Sequence, residues 1–221
     1  MDPLDMKIKI CGIKTLDEAL AAVEAGADLL GFNFYPPSPR YIAPVECSRL
    51  VGVLGGRGMA FVGVGIFVNA SPPAIAAILD DCGLDLAQLS GDESLADMAT
   101  LGDRAFKAIR PASLADAQSQ ARLYGRWSAP PALLLDAAVG PGQFGGAGRI
   151  GDWDVARRLA TRYPLLLAGG LRPENVAAAV ACVHPWGVDV ASGVEASPGC
   201  KDPAKVAAFV RAARGDFADG T

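Results

Sequence analysis

Two reactive side chains stand at the ends of apolar segments that lie far apart in the sequence. Cys11 closes the segment KIKIC at 7–11, and Asp136 closes PALLLD at 131–136. A carboxyl group can donate a proton and a thiolate can accept one, so the pair could catalyse proton transfer on one small molecule. A cysteine has an ordinary pKa of about 8.5, so this role needs a lowered pKa or a small thiolate fraction at neutral pH. The alternative for Cys11 is a buried structural cysteine, which packs as a small hydrophobe.

An arginine in a proline-rich segment offers a site for an anion. Arg40 lies in YPPSPRY at 35–41, where the prolines restrict the backbone. A guanidinium group held in this way can bind a carboxylate or a phosphate through two hydrogen bonds. The alternative is a solvated arginine in a surface turn.

Two glycine-containing segments near the end of the chain favour a phosphate site. Gly169 and Gly170 lie in LAGGLRPENV, and Ser192 and Gly193 lie in ASGVEASPG. Glycines allow a ligand to approach the backbone and expose its N–H groups to an anion. Each segment could be an ordinary turn, but the two together are typical of phosphate binding in one kind of barrel.

The elements that position these groups repeat about every 25 residues as an apolar strand, a short loop and an amphipathic helix. This alternation predicts a parallel sheet covered by helices. The predicted strands are 7–11, 28–34, 60–68, 85–89, 104–109, 132–136, 165–168 and 187–191. The predicted helices are 16–25, 44–55, 72–82, 92–101, 113–123, 153–162, 174–182 and 203–213.

Eight such units predict an α/β fold with a single (β/α)8 TIM barrel over residues 1–221, ending in a frayed tail at 215–221. Active sites of this fold lie on the loops that follow the strands. The candidate groups all occupy such positions, so the fold would bring them together. The glycine-rich segment at 139–151 is predicted to be a flap over this site. It contains the spacing GxGxxG, but the next helix begins too late for a dinucleotide fingerprint.

Helix starts carry their own signals. Thr15 and Glu18 have the spacing of a capping box, Ser71 precedes Pro72, and Asp202 precedes Pro203. Each pattern is typical of the first turn of a helix.

Composition excludes several classes of function. Hydrophobic residues make up 51% of the chain and the formal charge is −4, so nucleic acid and anionic membranes are not expected as partners. The longest apolar run, 59–68, is too short for a membrane helix, and the N-terminus lacks the pattern of a signal peptide. These two features predict a cytoplasmic protein. Five scattered cysteines without a CxxC motif argue against a disulfide framework, and a single histidine excludes a histidine-rich metal site.

Motifs along nearly the whole chain resemble those of the phosphoribosylanthranilate isomerase family. They are KICGIK, GFNFYPPSPRYI, VGIFVN, QLSGDE, KAIR, LLLDA, GGAG before DW, LAGGLRPENV and GVDVASGVEASPGCKD, in that order. The resemblance implies an Amadori rearrangement in tryptophan biosynthesis. In it, N-(5-phosphoribosyl)anthranilate becomes 1-(o-carboxyphenylamino)-1-deoxyribulose 5-phosphate, with no cofactor and no metal.

The resemblance also implies roles for individual residues. Asp136 would be the general acid that protonates the furanose ring oxygen, and Cys11 the general base that removes the proton from C2. Arg40 would face the anthranilate carboxylate. Asp189 matches an acid that would contact the sugar hydroxyls.

The glycine segments acquire a role in the same way. Gly169 and Gly170, with Ser192 and Gly193, would bind the phosphate of the small-molecule substrate. The family usually has a histidine where this chain has Ser90. That histidine is neither the acid nor the base, so the difference bears on turnover and on substrate breadth.

Two other functions are alternatives to the isomerase. One is a related phosphosugar isomerase of broadened specificity, although such an enzyme would be expected to have a carboxylate at position 11. The other is a barrel that binds a phosphorylated metabolite without converting it, which would need only the phosphate loops. A monomer and a homodimer are both compatible with the sequence, as are translation starts at Met1 and Met6.

Overall fold

Eight parallel strands form a closed barrel in the computed structural model, which describes residues 6–125, 130–137 and 152–215. Each strand pairs with the next in sequence, and β8 pairs with β1 to close the ring. The strands are β1 Lys7–Cys11, β2 Leu29–Asn33, β3 Val62–Phe67, β4 Leu86–Leu89, β5 Ala105–Ile109, β6 Leu133–Leu135, β7 Leu165–Leu167 and β8 Gly187–Val190. The predicted (β/α)8 barrel is confirmed.

A helix follows each strand of the barrel. The helices are α1 Leu16–Glu24, α2 Pro44–Gly56, α3 Pro72–Cys82, α4 Leu95–Leu101, α5 Leu114–Tyr124, α6 Trp153–Ala160, α7 Val176–Val183 and α8 Pro203–Arg214. Short 3-10 turns occupy Gly102–Arg104 and Ser192–Val194. No helix in the described ranges is both long enough and apolar enough to span a bilayer.

Side chains of the strands alternate between two apolar layers. In β1, Ile8 and Ile10 pack in the larger layer beneath the helices. A smaller cluster, which includes Phe106, Leu134 and Leu166, fills part of the barrel interior. Because successive strand residues point to opposite faces, Lys9 and Cys11 point into the barrel.

The largest difference from the predicted boundaries concerns α4. The sequence predicts a helix from 92, whereas α4 begins at Leu95 after the N-cap Ser94, whose side chain forms a capping box with Asp97. Glu93 remains in the loop, where its carboxylate accepts hydrogen bonds from the backbone N–H groups of Asn69 and Gly91. A buried carboxylate with these partners holds the loop out of the helix.

All three predicted helix starts are confirmed, and they differ only in how the first turn is capped. Thr15 and Glu18 form the capping box of α1, and the Asp202 side chain caps α8. Ser71 is the N-cap residue of α3, but its side chain makes no capping hydrogen bond. Proline at the first helical position has no N–H to satisfy, which lowers the need for that bond.

A short antiparallel hairpin follows the barrel's last strand and was not predicted. Its strands are β9 Glu195–Ser197 and β10 Cys200–Lys201. Gly199 at the turn has φ +77, and a Cβ there would overlap the carbonyl oxygen of Pro39. The hairpin therefore packs closely on the loop that follows β2. The predicted flap at 139–151 and all of the tail beyond Gly215 lie outside the described residues.

Candidate active site

A cavity of about 170 Å³ opens at the carboxyl ends of the strands, and four of the predicted site residues line it. They are Cys11, Arg40, Asp136 and Asp189. β1, β6 and β8 supply three of them, which is how a closed barrel collects residues that are distant in sequence. Ser90, the residue at the departure from the family pattern, also lines the cavity.

Asp136 lies one residue beyond the end of β6. Its Oδ1 accepts a hydrogen bond from the Ala137 backbone N–H at 2.8 Å, and its Oδ2 lies 3.7 Å from Nε of Arg110. Burial raises the pKa of the Asp136 carboxyl above its ordinary value, and the negative charge of Asp189 acts in the same direction. Arg110 and the Ala137 N–H oppose this rise. A carboxyl with a raised pKa is suited to donate a proton near neutral pH.

Cys11 ends β1 and is 8% exposed. Gly31 of β2 lies beside it, and a Cβ at Gly31 would come within 3.2 Å of the sulfur. Burial raises the pKa of the Cys11 thiol, while the ammonium groups of Lys9 and Lys201 oppose that rise. The thiol is therefore mostly neutral in the unliganded protein. A cysteine can act as a base at neutral pH through a lowered pKa or through a small thiolate fraction, and the structure favours the small thiolate fraction.

A chain of buried polar side chains crosses the barrel, and three of its members line the cavity. Nζ of Lys9 donates to Asp189 Oδ1 at 2.7 Å and to Gln88 Oε1 at 2.9 Å. Nε2 of Gln88 in turn donates to Ser90 Oγ at 3.1 Å. Lys9 has no exposed surface, so these partners replace its hydration. Asp189, predicted to contact substrate hydroxyls, is thus also the counter-ion of Lys9.

Lys9 and Gln88 are site residues that the sequence analysis missed. Burial works to lower the pKa of Lys9, but its interactions with Asp189 and Cys11 outweigh this and raise it. Lys9 is accordingly charged. The alternation KIKIC carried the signal, because it puts Lys9 on the same face of the strand as Cys11.

Arg40 is held by a second buried ion pair. Its Nε and Nη2 donate to the two carboxylate oxygens of Glu195 at 2.7 and 2.9 Å. Nζ of Lys201 donates to the same Glu195 carboxylate at 3.0 Å. Arg40 is therefore a fixed group at the mouth of the barrel, and not a solvated arginine. Glu195 and Lys201 were not singled out from the sequence.

The two glycine segments predicted to bind phosphate lie together beside the cavity. A Cβ at Gly169 would come within 2.7 Å of the Ala137 backbone nitrogen, and one at Gly193 would overlap the carbonyl oxygen of Leu171. The loops after β6, β7 and β8 are therefore in close contact. The predicted residues of these segments do not line the cavity, but Ala191, directly before Ser192, does.

Backbone donors are available in these loops. The N–H groups of Gly170, Ser192 and Gly193 donate to no other residue in the described ranges. Gly170 has φ +66, and its carbonyl accepts a hydrogen bond from the Asn175 side chain at the start of α7. Free N–H groups in a loop of this geometry are suited to an anion.

A larger cavity lies elsewhere, between α5 and α6. It measures about 490 Å³ and is lined by four arginines but by no described cysteine or carboxylate. It lacks the acid–base pair and is not the candidate active site. Within the described ranges, no group of three or more His, Cys, Asp or Glu side chains is arranged to hold a metal ion.

Comparison with known proteins gives a consistent result. Residues 8–212 match the family model described as N-(5'phosphoribosyl)anthranilate (PRA) isomerase. The isomerase of Citrifermentans bemidjiense is 48% identical over 209 residues, covering 94% of this chain and 97% of the relative. That of Geotalea uraniireducens is 44% identical over 212 residues, covering 95% and 98%.

Solved structures agree with the sequence relatives. The phosphoribosyl anthranilate isomerase of Thermotoga maritima is 37% identical, with a TM-score of 0.85 and coverage of 95% of this chain and 99% of that one. An isomerase in complex with reduced 1-(o-carboxyphenylamino)-1-deoxyribulose 5-phosphate is 36% identical, with a TM-score of 0.82 and the same coverage. This chain belongs to the N-(5'-phosphoribosyl)anthranilate isomerase family.

Proposed function

We propose that Asp136 and Cys11 perform the two proton transfers by which this isomerase converts N-(5'-phosphoribosyl)anthranilate into 1-(o-carboxyphenylamino)-1-deoxyribulose 5-phosphate. The observation that carries the assignment is the placement of the Asp136 carboxyl and the Cys11 thiol in a single cavity at the carboxyl ends of the barrel strands. The reaction is an internal rearrangement, so no co-reactant is needed.

Asp136 acts first, as the general acid. It donates its proton to the furanose ring oxygen while the bond from that oxygen to C1 breaks, and the nitrogen lone pair forms the C1=N bond of a protonated Schiff base. The raised pKa of Asp136 keeps a larger fraction of the carboxyl protonated for this step. The N–H of Ala137, which donates to Oδ1, stabilises the carboxylate that remains.

Cys11 acts second, as the general base. The positive charge on the Schiff base acidifies the proton on C2, and the thiolate removes it while the electron pair forms a C1=C2 double bond. The resulting enol gives the C2 ketone when a proton is added at C1 and the C2 hydroxyl loses its own. Lys9 and Lys201 favour the thiolate form, and the cationic intermediate adds to their effect.

Three groups hold the substrate in this scheme. Arg40 binds the anthranilate carboxylate, and the loops that contain Gly169, Gly170, Ser192 and Gly193 bind the phosphate through backbone N–H groups. Asp189 accepts a hydrogen bond from a sugar hydroxyl on its cavity side. The contacts between these loops, described above, support their joint role.

The variant Cys11→Ser tests the base directly. A hydroxyl hardly ionises at neutral pH, so the loss of turnover is expected to be about 100-fold or more. The measurement is the steady-state rate of substrate turnover. Binding of the phosphate-bearing product analogue to the variant shows that the site still forms. If the serine variant works as well as the parent, another group is the base.

We also propose that the enzyme works in the cytoplasm, as a monomer or a homodimer. All five cysteines are free, and Cys47 and Cys82 remain unpaired although each influences the other's pKa. Neighbouring free thiols are typical of a reducing compartment. A similar protein from Thermotoga maritima is described as dimeric, which supports the homodimer. Gel filtration with light scattering decides between the two states.

A further inference from the structure

We propose that Glu195 is a positioning residue that orients the Arg40 guanidinium for the carboxylate on the substrate's aromatic ring. The inference rests on the proposed role of Arg40 and extends it to a residue that does not line the cavity. Glu195 would act on substrate recognition only through Arg40.

The geometry of the pair fixes the plane of the guanidinium. Nε of Arg40 lies 2.7 Å from Glu195 Oε1, and Nη2 lies 2.9 Å from Oε2. A two-point contact of this kind removes the rotation that a single hydrogen bond would leave. The contact uses one edge of the group, and no residue in the described ranges accepts a hydrogen bond from Nη1. Arg40 lines the cavity beside Cys11, so the unused edge is available to a ligand carboxylate.

Glu195 is itself held on its other side. Lys201 Nζ donates to Glu195 Oε1 and to the Ala191 carbonyl, both at 3.0 Å. The backbone N–H of Lys201 donates at 2.8 Å to Glu18, which forms the capping box of α1 with Thr15. Burial would raise the pKa of Glu195, but Arg40 and Lys201 together lower it, so the carboxylate is ionised.

The charges leave a net attraction for an anion. Two cations share the single carboxylate of Glu195, and the side chains of all three are mostly buried. One positive charge is therefore uncompensated within this group at the mouth of the barrel. An aromatic carboxylate placed against Arg40 would balance it.

The backbone makes room for this arrangement. Gly12 has φ +85, and a Cβ there would come within 2.7 Å of Arg40 Cδ. The stem of Arg40 thus lies across Gly12, directly after Cys11. Packing on the stem and pairing at the head together define one orientation of the side chain.

The test is a comparison of two probes in wild type and Glu195→Gln. One probe is reduced 1-(o-carboxyphenylamino)-1-deoxyribulose 5-phosphate, and the other is its phenylamino counterpart without the carboxylate. Titration calorimetry gives both dissociation constants without turnover. Gln keeps the shape of Glu195, but its N–H₂ group is a donor and cannot accept a hydrogen bond from the Arg40 guanidinium. We expect Glu195→Gln to weaken binding of the carboxylated probe by about tenfold or more, while the other probe changes less than about twofold.

Glu93→Gln is the matched control. Glu93 is equally buried and pairs with Lys107 at 2.6 Å, but it makes no contact with Arg40. The Glu93→Gln variant should therefore leave the ratio of the two dissociation constants unchanged. Glu195→Asp keeps the charge and should recover part of the preference for the carboxylated probe. This variant also tests the inference if Glu195→Gln fails to fold.

The outcomes separate this inference from the proposed function. If Glu195→Gln weakens both probes equally, Glu195 is structural and the inference is wrong, while the isomerase assignment stands. If wild type shows no preference for the carboxylated probe, the proposed role of Arg40 fails and the inference fails with it. Turnover of the substrate by wild type reports on the reaction independently of either result.

Discussion

Nζ of Lys9 lies 2.7 Å from the carboxylate of Asp189 in the interior of the barrel, and Lys9 has no solvent-exposed surface. The two residues are partners in the register of β1 and β8, the strands that close the ring. The pair therefore lies where the barrel closes, on the strand that ends at Cys11. Replacing Lys9 would leave Asp189 as an uncompensated charge in a mostly buried position.

Lys9→Met is expected to lower the free energy of unfolding by about 3 to 5 kcal/mol, because Asp189 would remain buried without its counter-ion. Lys7→Met is the matched control on the same strand. Lys7 is 40% exposed, and its partner Asp28 keeps an ion pair with Arg214 at 2.7 Å, so the control should cost less than about 1 kcal/mol. Urea denaturation measures both. Equal losses would contradict a special role for the buried pair.

The pH dependence of kcat/KM tests the roles proposed for Asp136 and Cys11. The active form needs protonated Asp136 and ionised Cys11. The fraction of the enzyme in that form is constant between the two pKa values and falls on either side of them. Both pKa values are raised, from 3.8 for Asp136 and from 9.0 for Cys11.

We therefore expect kcat/KM to be constant between the two pKa values and to fall on the alkaline side above pH 9.0, because the pKa of Cys11 is raised from that value. The acid limb should lie above pH 3.8. Initial rates corrected for spontaneous hydrolysis of the substrate give this profile. A rate that rises steadily up to pH 9 would show that only the thiolate is needed and that Asp136 is not the proton donor.

Gly193→Ala tests the phosphate loops. The new Cβ would overlap the carbonyl oxygen of Leu171 and push the loops after β7 and β8 apart. We expect KM to rise by about tenfold or more, since hydrogen bonds to a charged group contribute about 1.5 to 3 kcal/mol each. Gly55→Ala is the control, because its Cβ would meet open space on α2. An unchanged KM in Gly193→Ala would remove this loop from the phosphate site.

Local patterns in the sequence were enough to predict the barrel and the positions of its two reactive groups. The repeat of strand and helix defines the fold, and Cys11 and Asp136 stand at strand ends, where the fold places its chemistry. The proximity of Cys11 and Asp136 follows from topology alone. The raised pKa of Cys11 cannot be predicted from topology, because it depends on burial in the folded protein.

Contacts between distant residues could not be predicted in this way. Lys9 and Asp189 are 180 residues apart, and Arg40 and Glu195 are 155 apart. No periodic pattern links such pairs. The hairpin that carries Glu195 has strands of three and two residues, which is too short for an alternating pattern to appear.

The most direct test follows the decay of anthranilate fluorescence from substrate generated in situ, with wild type and Asp136→Asn side by side. An amide cannot donate the proton that opens the furanose ring, so the variant should bind the reduced product analogue normally and lose activity by a factor of about 100 to 10,000. Wild type should consume the substrate faster than spontaneous hydrolysis does. Near-normal turnover by Asp136→Asn would contradict the assignment of Asp136 as the general acid.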